Sequence, residues 1–131
     1  MTPLPVINDP ATQAAVTAAF MRYERALTGN LLAEMDDLFW HDGLTVRLGA
    51  GENLYGIDAI RAFRNARPSK GLDRALQNTV ITTFGTDYAT ACTEFTRDGS
   101  NKIGRQTHSW VRFPEGWKIV AAHVSLMTPQ P

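Results

Sequence analysis

Apolar residues recur at helical spacing in the first part of the chain and at every second position in the last, so the pattern predicts helices first and strands afterwards. Val16, Phe20, Tyr23 and Leu27 form one helical stripe, with Arg22, Glu24 and Arg25 on other faces. Asn8-Asp9-Pro10 supplies an N-cap aspartate and a first-turn proline, so this helix should run to about Thr28, where Gly29 and Asn30 end it. A shorter helix follows through Leu31, Leu32, Met35, Leu38 and Phe39, broken by Asp42-Gly43. Leu44 to Leu48 alternates as a half-buried strand, and Gly49 to Gly56 reads as a tight turn into a second short strand. Ile57, Ile60 and Phe63 mark a third helix, ended by Pro68 and Gly71. Four β-rich runs complete the chain: Ala75 to Phe84, Tyr88 to Arg97, Ile103 to Phe113 and Trp117 to Met127. The spacers Gly85-Thr86-Asp87, Asp98-Gly99-Ser100-Asn101 and Pro114-Glu115-Gly116 have hairpin composition. The expected fold is α+β: N-terminal helices packed over a pocket on a curled, cone-like antiparallel sheet.

Length and composition narrow this picture without changing it. The chain has 131 residues, enough for one core and too few for two, so a single domain is expected over 1–131. Thirteen basic residues balance thirteen acidic ones with no long run of either sign, which argues against nucleic acid or an anionic membrane as partner. There is no basic and apolar leader at the start and no apolar run of membrane-spanning length, so a cytoplasmic protein is expected. A single cysteine, Cys92, fits a reducing compartment; it lies in a strand-like run without an adjacent histidine and is read as a small buried strand residue rather than a nucleophile.

Several residues could carry chemistry. Arg47 interrupts a strand whose neighbours Val46 and Leu48 are apolar and point the other way. Its guanidinium fork would either bind a substrate carboxylate in two parallel hydrogen bonds or pair with a fixed acid such as Glu52. Tyr23 shares the stripe of Val16, Phe20 and Leu27 and should point at the sheet, as a pocket hydroxyl or as a core tyrosine bonded to a carbonyl. Glu52, Asn53 and Tyr55 are polar in a strand-like segment; Glu52 could orient Arg47, act as a base, or be a solvated turn residue. His41 sits at a helix end and reads as a capping or surface group. His123 shares a period-2 face with Trp117, Ile119, Ala121 and Ser125, and is a pocket acid or base or a satisfied core histidine; His108 should lie on the adjacent strand. No metal-ligand spacing, nucleophile elbow, phosphate loop or dinucleotide fingerprint is present, so neither a metal nor a cofactor is expected.

The order of elements, ending in Gly116-Trp117-Lys118-Ile119-Val120-Ala121-Ala122-His123-Val124-Ser125, resembles the nuclear transport factor 2-like, or SnoaL-like, superfamily. More narrowly, five stretches resemble the AtzH-like family, which includes the oxalurate-catabolism protein HpxZ. They are Tyr23-Glu24 with Ala26-Leu27, Leu38-Phe39-Trp40-His41, Thr45-Val46-Arg47 with Gly49, Gly51 to Gly56, and Ile60-Arg61 through Arg67-Pro68. Val80 to Gly85, and Gly104-Arg105-Gln106 with Ser109-Trp110-Val111, extend the match. The resemblance implies a homodimer that carries out a decarboxylating amidohydrolysis of small carboxylated ureas such as 1,3-dicarboxyurea, with Tyr23 and Arg47 as the catalytic pair. Arg47, Glu52, Asn53, Tyr55, Arg105 and His123 are then the candidate substrate contacts.

Three functions compete at this point. The first is a cofactor-independent amidohydrolase of a carboxylated urea or ureide. The second is a non-catalytic module that binds such an anion for a pathway amidase. The third is an isomerase or cyclase, which would need a deep base such as His123. Dimerisation is expected because a curled sheet with apolar residues on both faces leaves a convex surface to cover.

Overall fold

A computed structural model describes residues 4–129. Helix α1 (Pro10–Thr28) begins where the sequence places it: the Asp9 carboxylate accepts hydrogen bonds from the backbone N–H of Thr12, at 3.1 Å, and from its hydroxyl. This satisfies a donor that a helix N-terminus otherwise leaves orphaned. Val16, Phe20, Tyr23 and Leu27 are buried as one stripe. Burial of side chains of this size contributes about 1.5–3 kcal/mol each, which ties α1 to the sheet.

Helix α2 (Leu32–Asp37) is shorter than its apolar spacing suggests. The backbone of Leu38–Trp40 leaves the helix to bond the last strand: Ile119 N–H donates to Leu38 O at 2.8 Å and Trp40 N–H donates to Ile119 O at 3.0 Å. Tertiary pairing overrides a local period here. Strand β1 (Val46–Leu48) and strand β2 (Asn53–Tyr55) form a small antiparallel hairpin, and α3 (Ile57–Ala66) follows.

Strands β3 (Ala75–Phe84), β4 (Tyr88–Thr96), β5 (Ile103–Phe113) and β6 (Gly116–Met127) form the expected meander. The six-stranded sheet has the order β2-β1-β6-β5-β4-β3. It departs from the expected all-antiparallel arrangement in one place, because β1 joins β6 in parallel, Arg47 opposite Ala122. Two irregularities curl it. Asn78, at φ 53°, interrupts β3 between Gln77 and Val80, and the pairing of β5 with β6 skips Val120 between Ile119 and Ala121. Such bulges bend a strand and raise its twist.

The core lies between α1 and the concave face, where Ala89, Ala91, Trp110 and Ile119 are fully buried. The Cys92 reading is corrected: its thiol is free and exposed. The alternation of β4 sends Ala91 and Thr93 inward and leaves Cys92 on the convex side.

Candidate functional site

Register decides which side chains face the helices. Arg47, Ala122, His108 and Ala91 are cross-strand partners on β1, β6, β5 and β4 and therefore share the concave face. Directly opposite residues point the same way, and Ala122 and Ala91 leave room beside the larger groups. Under α1 and α3 this face opens into a cavity of about 280 Å³, whose wall includes Tyr23, Arg47, Glu52, Arg67, Arg74, Arg97, Gln106 and His108.

Two of the four arginines are compensated. Arg47 Nη1 donates to Glu52 Oε1 at 2.8 Å, so both the pairing with Glu52 and the placement on the pocket wall hold for this residue. The pair packs over Gly49, where a Cβ would collide with the Glu52 carboxylate. A glycine there permits the approach. The Arg74 side chain is almost wholly buried, and its Nε and Nη2 donate to the two oxygens of Glu24 at 3.0 and 2.6 Å. Nη2 also donates to Gln106 Oε1 at 2.9 Å.

Arg67 and Arg97 have no acidic partner at hydrogen-bond distance among the described residues, and the buried Nε of each is unbonded. Burial lowers the pKa of both; Arg47 and Arg74 add repulsion at Arg67, and Arg74 and Arg67 add it at Arg97. The Phe95 ring holds Arg74 at 4.5 Å and Arg97 at 5.0 Å from its centroid. It lies directly over Gly104, where any Cβ would enter the ring.

His108 is buried and its Nδ1 has no hydrogen-bond partner among the described residues. Burial, then the nearby charges of Arg74 and Arg47, push its pKa down to about 3. The imidazole is neutral near pH 7. Tyr23 meets the His108 ring edge-on at 5.0 Å and the Phe39 ring at 5.9 Å. The tyrosine therefore faces the sheet, on the wall that also contains Arg47.

Four expected contacts lie elsewhere. Asn53 and Tyr55 are exposed, because they flank the inward Leu54 on β2. Arg105 is on the convex face, where its Nε donates to Ser125 Oγ at 3.0 Å; its neighbours Gly104 and Gln106 are the inward ones. His123 is exposed, neither a pocket group nor a core histidine. The cause is the bulge at Val120, which reverses the alternation of β6: Trp117 and Ile119 point inward, and beyond the bulge Ala122 does so while Ala121 and His123 point out. With His123 goes the deep base that the isomerase reading required. His41 lies at the surface, its Nε2 2.8 Å from Asp36 O and its Nδ1 3.1 Å from Arg61 Nη2.

Sequence reasoning missed Glu24, Arg67, Arg74, Arg97, Gln106 and His108 as site residues. Three signals existed. Glu24 follows Phe20 by four residues and so borders the α1 stripe, and Gln106 and His108 share the parity of Trp110, which an apolar face must bury. Arg97, one residue past β4, shares the parity of the inward Ala91, Thr93 and Phe95, whereas Arg67 and Arg74 stand outside the regular elements, where no periodicity points anywhere.

The model of the AtzH-like family matches residues 5–130. The chain belongs to the AtzH-like family. A protein of unknown function from Pectobacterium atrosepticum is 70% identical, with a TM-score of 0.92 over 93% of this chain and 95% of that one. A cystatin-like fold protein from Burkholderia xenovorans is 49% identical, with a TM-score of 0.93 over 96% and 99%. An NTF2-like protein of unknown function from Pseudomonas putida, at 16% identity and a TM-score of 0.72 over 88% and 86%, shares the fold alone. No curated protein matches this AtzH-like chain. Among its described residues no group of His, Cys, Asp or Glu could hold a metal ion, and no helix is long and apolar enough to cross a membrane.

Proposed function

We propose that this AtzH-like protein is a cytoplasmic, cofactor-independent decarboxylating amidohydrolase of a small carboxylated urea or ureide, the class to which 1,3-dicarboxyurea and oxalurate belong. The observation that supports it most is a small cavity in which Tyr23 and Arg47 share a wall and four guanidiniums meet only two carboxylates. Arg47, oriented by Glu52, presents a fork to a substrate carboxylate. Tyr23 donates a hydrogen bond to the amide carbonyl and stabilises the oxyanion formed when water adds to its carbon. The C–N bond then breaks, the departing carbamate nitrogen takes a proton, and the carbamic acid falls apart to ammonia and carbon dioxide.

One observation favours a binding module that serves a pathway amidase. Glu52 on the cavity wall and Glu24 behind it are both tied to arginines and His108 resists protonation, so among the described residues no strong unengaged base stands ready for the water. Turnover separates the two readings. Tyr23→Phe is expected to lower the release of ammonia and carbon dioxide from the preferred urea by about 100-fold while affinity changes less than about threefold. An unmutated protein that releases neither product from 1,3-dicarboxyurea, oxalurate or their near relatives would leave only the binding reading.

The same proposal includes a homodimer. The sheet face opposite the cavity exposes Tyr55, Val80 and Tyr88 beside Ala121 and Cys92, a surface suited to a second copy. Light scattering is expected to give twice the chain mass of 14.5 kDa; the mass of one chain at working concentration would refute the dimer.

A further inference from the structure

Arg64 is buried where an apolar side chain belongs. It continues the buried stripe of Ile57 and Ile60 on α3 at helical spacing, and the residue is 5% exposed. Its Nη1 is buried without a hydrogen-bond partner, and no acidic group stands at hydrogen-bond distance among the described residues. The guanidinium carbon lies 4.9 Å from the centre of the Phe39 ring. That ring attracts the charge but accepts none of the fork's N–H donors in the plane of the guanidinium. Burial lowers the Arg64 pKa, with Asp36 opposing the shift and Arg47 and Arg67 adding to it by repulsion. A charge held in this way is unfavourable until an acceptor reaches it.

The place for that acceptor is a second cavity, of about 220 Å³, between α2 and α3. Its wall consists of Leu32, Ala33, Asp36, Arg61, Arg64 and Asn65, none of which lines the larger cavity. Asp36 is already engaged, because Arg61 Nε and Nη2 donate to its two oxygens at 2.6 and 3.0 Å. One carboxylate and two guanidiniums leave one positive charge over, and it belongs to the arginine that has no acceptor. Asn65, at the exposed rim, adds an amide donor. The volume falls below the roughly 300–1,000 Å³ of pockets for larger organic ligands, and suits an anion of a few heavy atoms.

We propose that the cleft between α2 and α3 is a separate binding site for a small oxyanion of the phosphate or bicarbonate kind, with the Arg64 fork as its principal donor and Asn65 at its mouth. Arg61 holds Asp36 away from the anion by occupying both carboxylate oxygens. The site does not depend on the reading of the larger cavity or on any turnover there.

NMR of the full, ¹⁵N-labelled chain titrated with inorganic phosphate at constant ionic strength tests it. The Arg64 side-chain N–H and the Asn65 amide signals are expected to move together along one saturating curve with a midpoint of about 1 mM. Arg64→Gln should raise the midpoint read at Asn65 by about tenfold or more, while signals of Arg67 and Arg97 in the larger cavity respond as in the unmutated protein. If Arg64→Gln does not fold, Arg64→Lys takes its place: it keeps the charge, loses the fork, and should raise the Asn65 midpoint by about threefold or more. Arg64 and Asn65 signals that do not move, or that drift without saturating, overturn the site. So does an Asn65 midpoint that the Arg64 substitution leaves unchanged, or one that follows Arg47→Gln instead, which would place the anion in the larger cavity.

Discussion

Glu24→Gln is expected to destabilise the fold by about 3–5 kcal/mol, seen as a lower urea midpoint with an unchanged slope. The side chains of Arg74 and Glu24 are 2% and 10% exposed, so the pair is inside the protein. Glutamine keeps the shape and one acceptor but removes the charge. The Arg74 guanidinium would then sit uncompensated beside Arg67 and Arg97, both already disfavoured by burial. The loss reports a stranded charge rather than the worth of a salt bridge. Glu24→Gln combined with Arg74→Met should therefore recover much of it, and a double-mutant cycle measures the coupling. A double variant as unstable as the single one would show that Glu24 matters through packing instead.

His108 should make folding stability fall with acid from a higher pH than carboxylates alone would. Its pKa is near 6.5 in the unfolded chain and about 3 in the fold, where burial and then Arg74 and Arg47 oppose the charged form. Above pH 6.5 both states are neutral at this residue and the full stability is present. Below it the unfolded chain binds a proton that the folded chain refuses, so stability is lost as pH falls through the window down to about 3. The slope for one such group approaches about 1.4 kcal/mol per pH unit. Asp9, Asp36 and Asp37, whose pKa values are lowered by hydrogen bonds to Thr12, Arg61 and Arg22, add to the loss only at the acid end of this window. Urea midpoints between pH 7 and 5 isolate the histidine. The His108→Gln variant should show a flatter dependence there, and an unchanged slope would mean that His108 does not titrate as described.

The elements themselves were legible. The stripe Val16, Phe20, Tyr23 and Leu27, capped by Asp9, and the β-rich runs split by glycine turns gave α1 and the meander nearly to the residue. Their signals are local: a period, a cap, a turn. The inward Arg47, and its pairing with Glu52 five residues on, was readable for the same reason, since both lie on one short hairpin.

The rest of the site was not legible, and His123 shows why. Strict alternation along β6 assigns it to the face of Ile119, but one skipped residue at Val120 reverses the sides, and that skip appears only in the pairing of β6 with β5. Arg105 is a different case, because the parity of Trp110 already placed it outside.

The sequence by itself determined the helices, the long strands, the fold class and one arginine facing inward, because each follows from side-chain periodicity within a short stretch of chain. Only the tertiary structure decided which charges share the cavity. Glu24 meets Arg74 across fifty residues, Phe95 holds Arg74 and Arg97 together over Gly104, and His108 loses its proton to burial under α1. Such neighbours are set by sheet register and by the curl that closes the cone, and a charge has an environment only once those have formed.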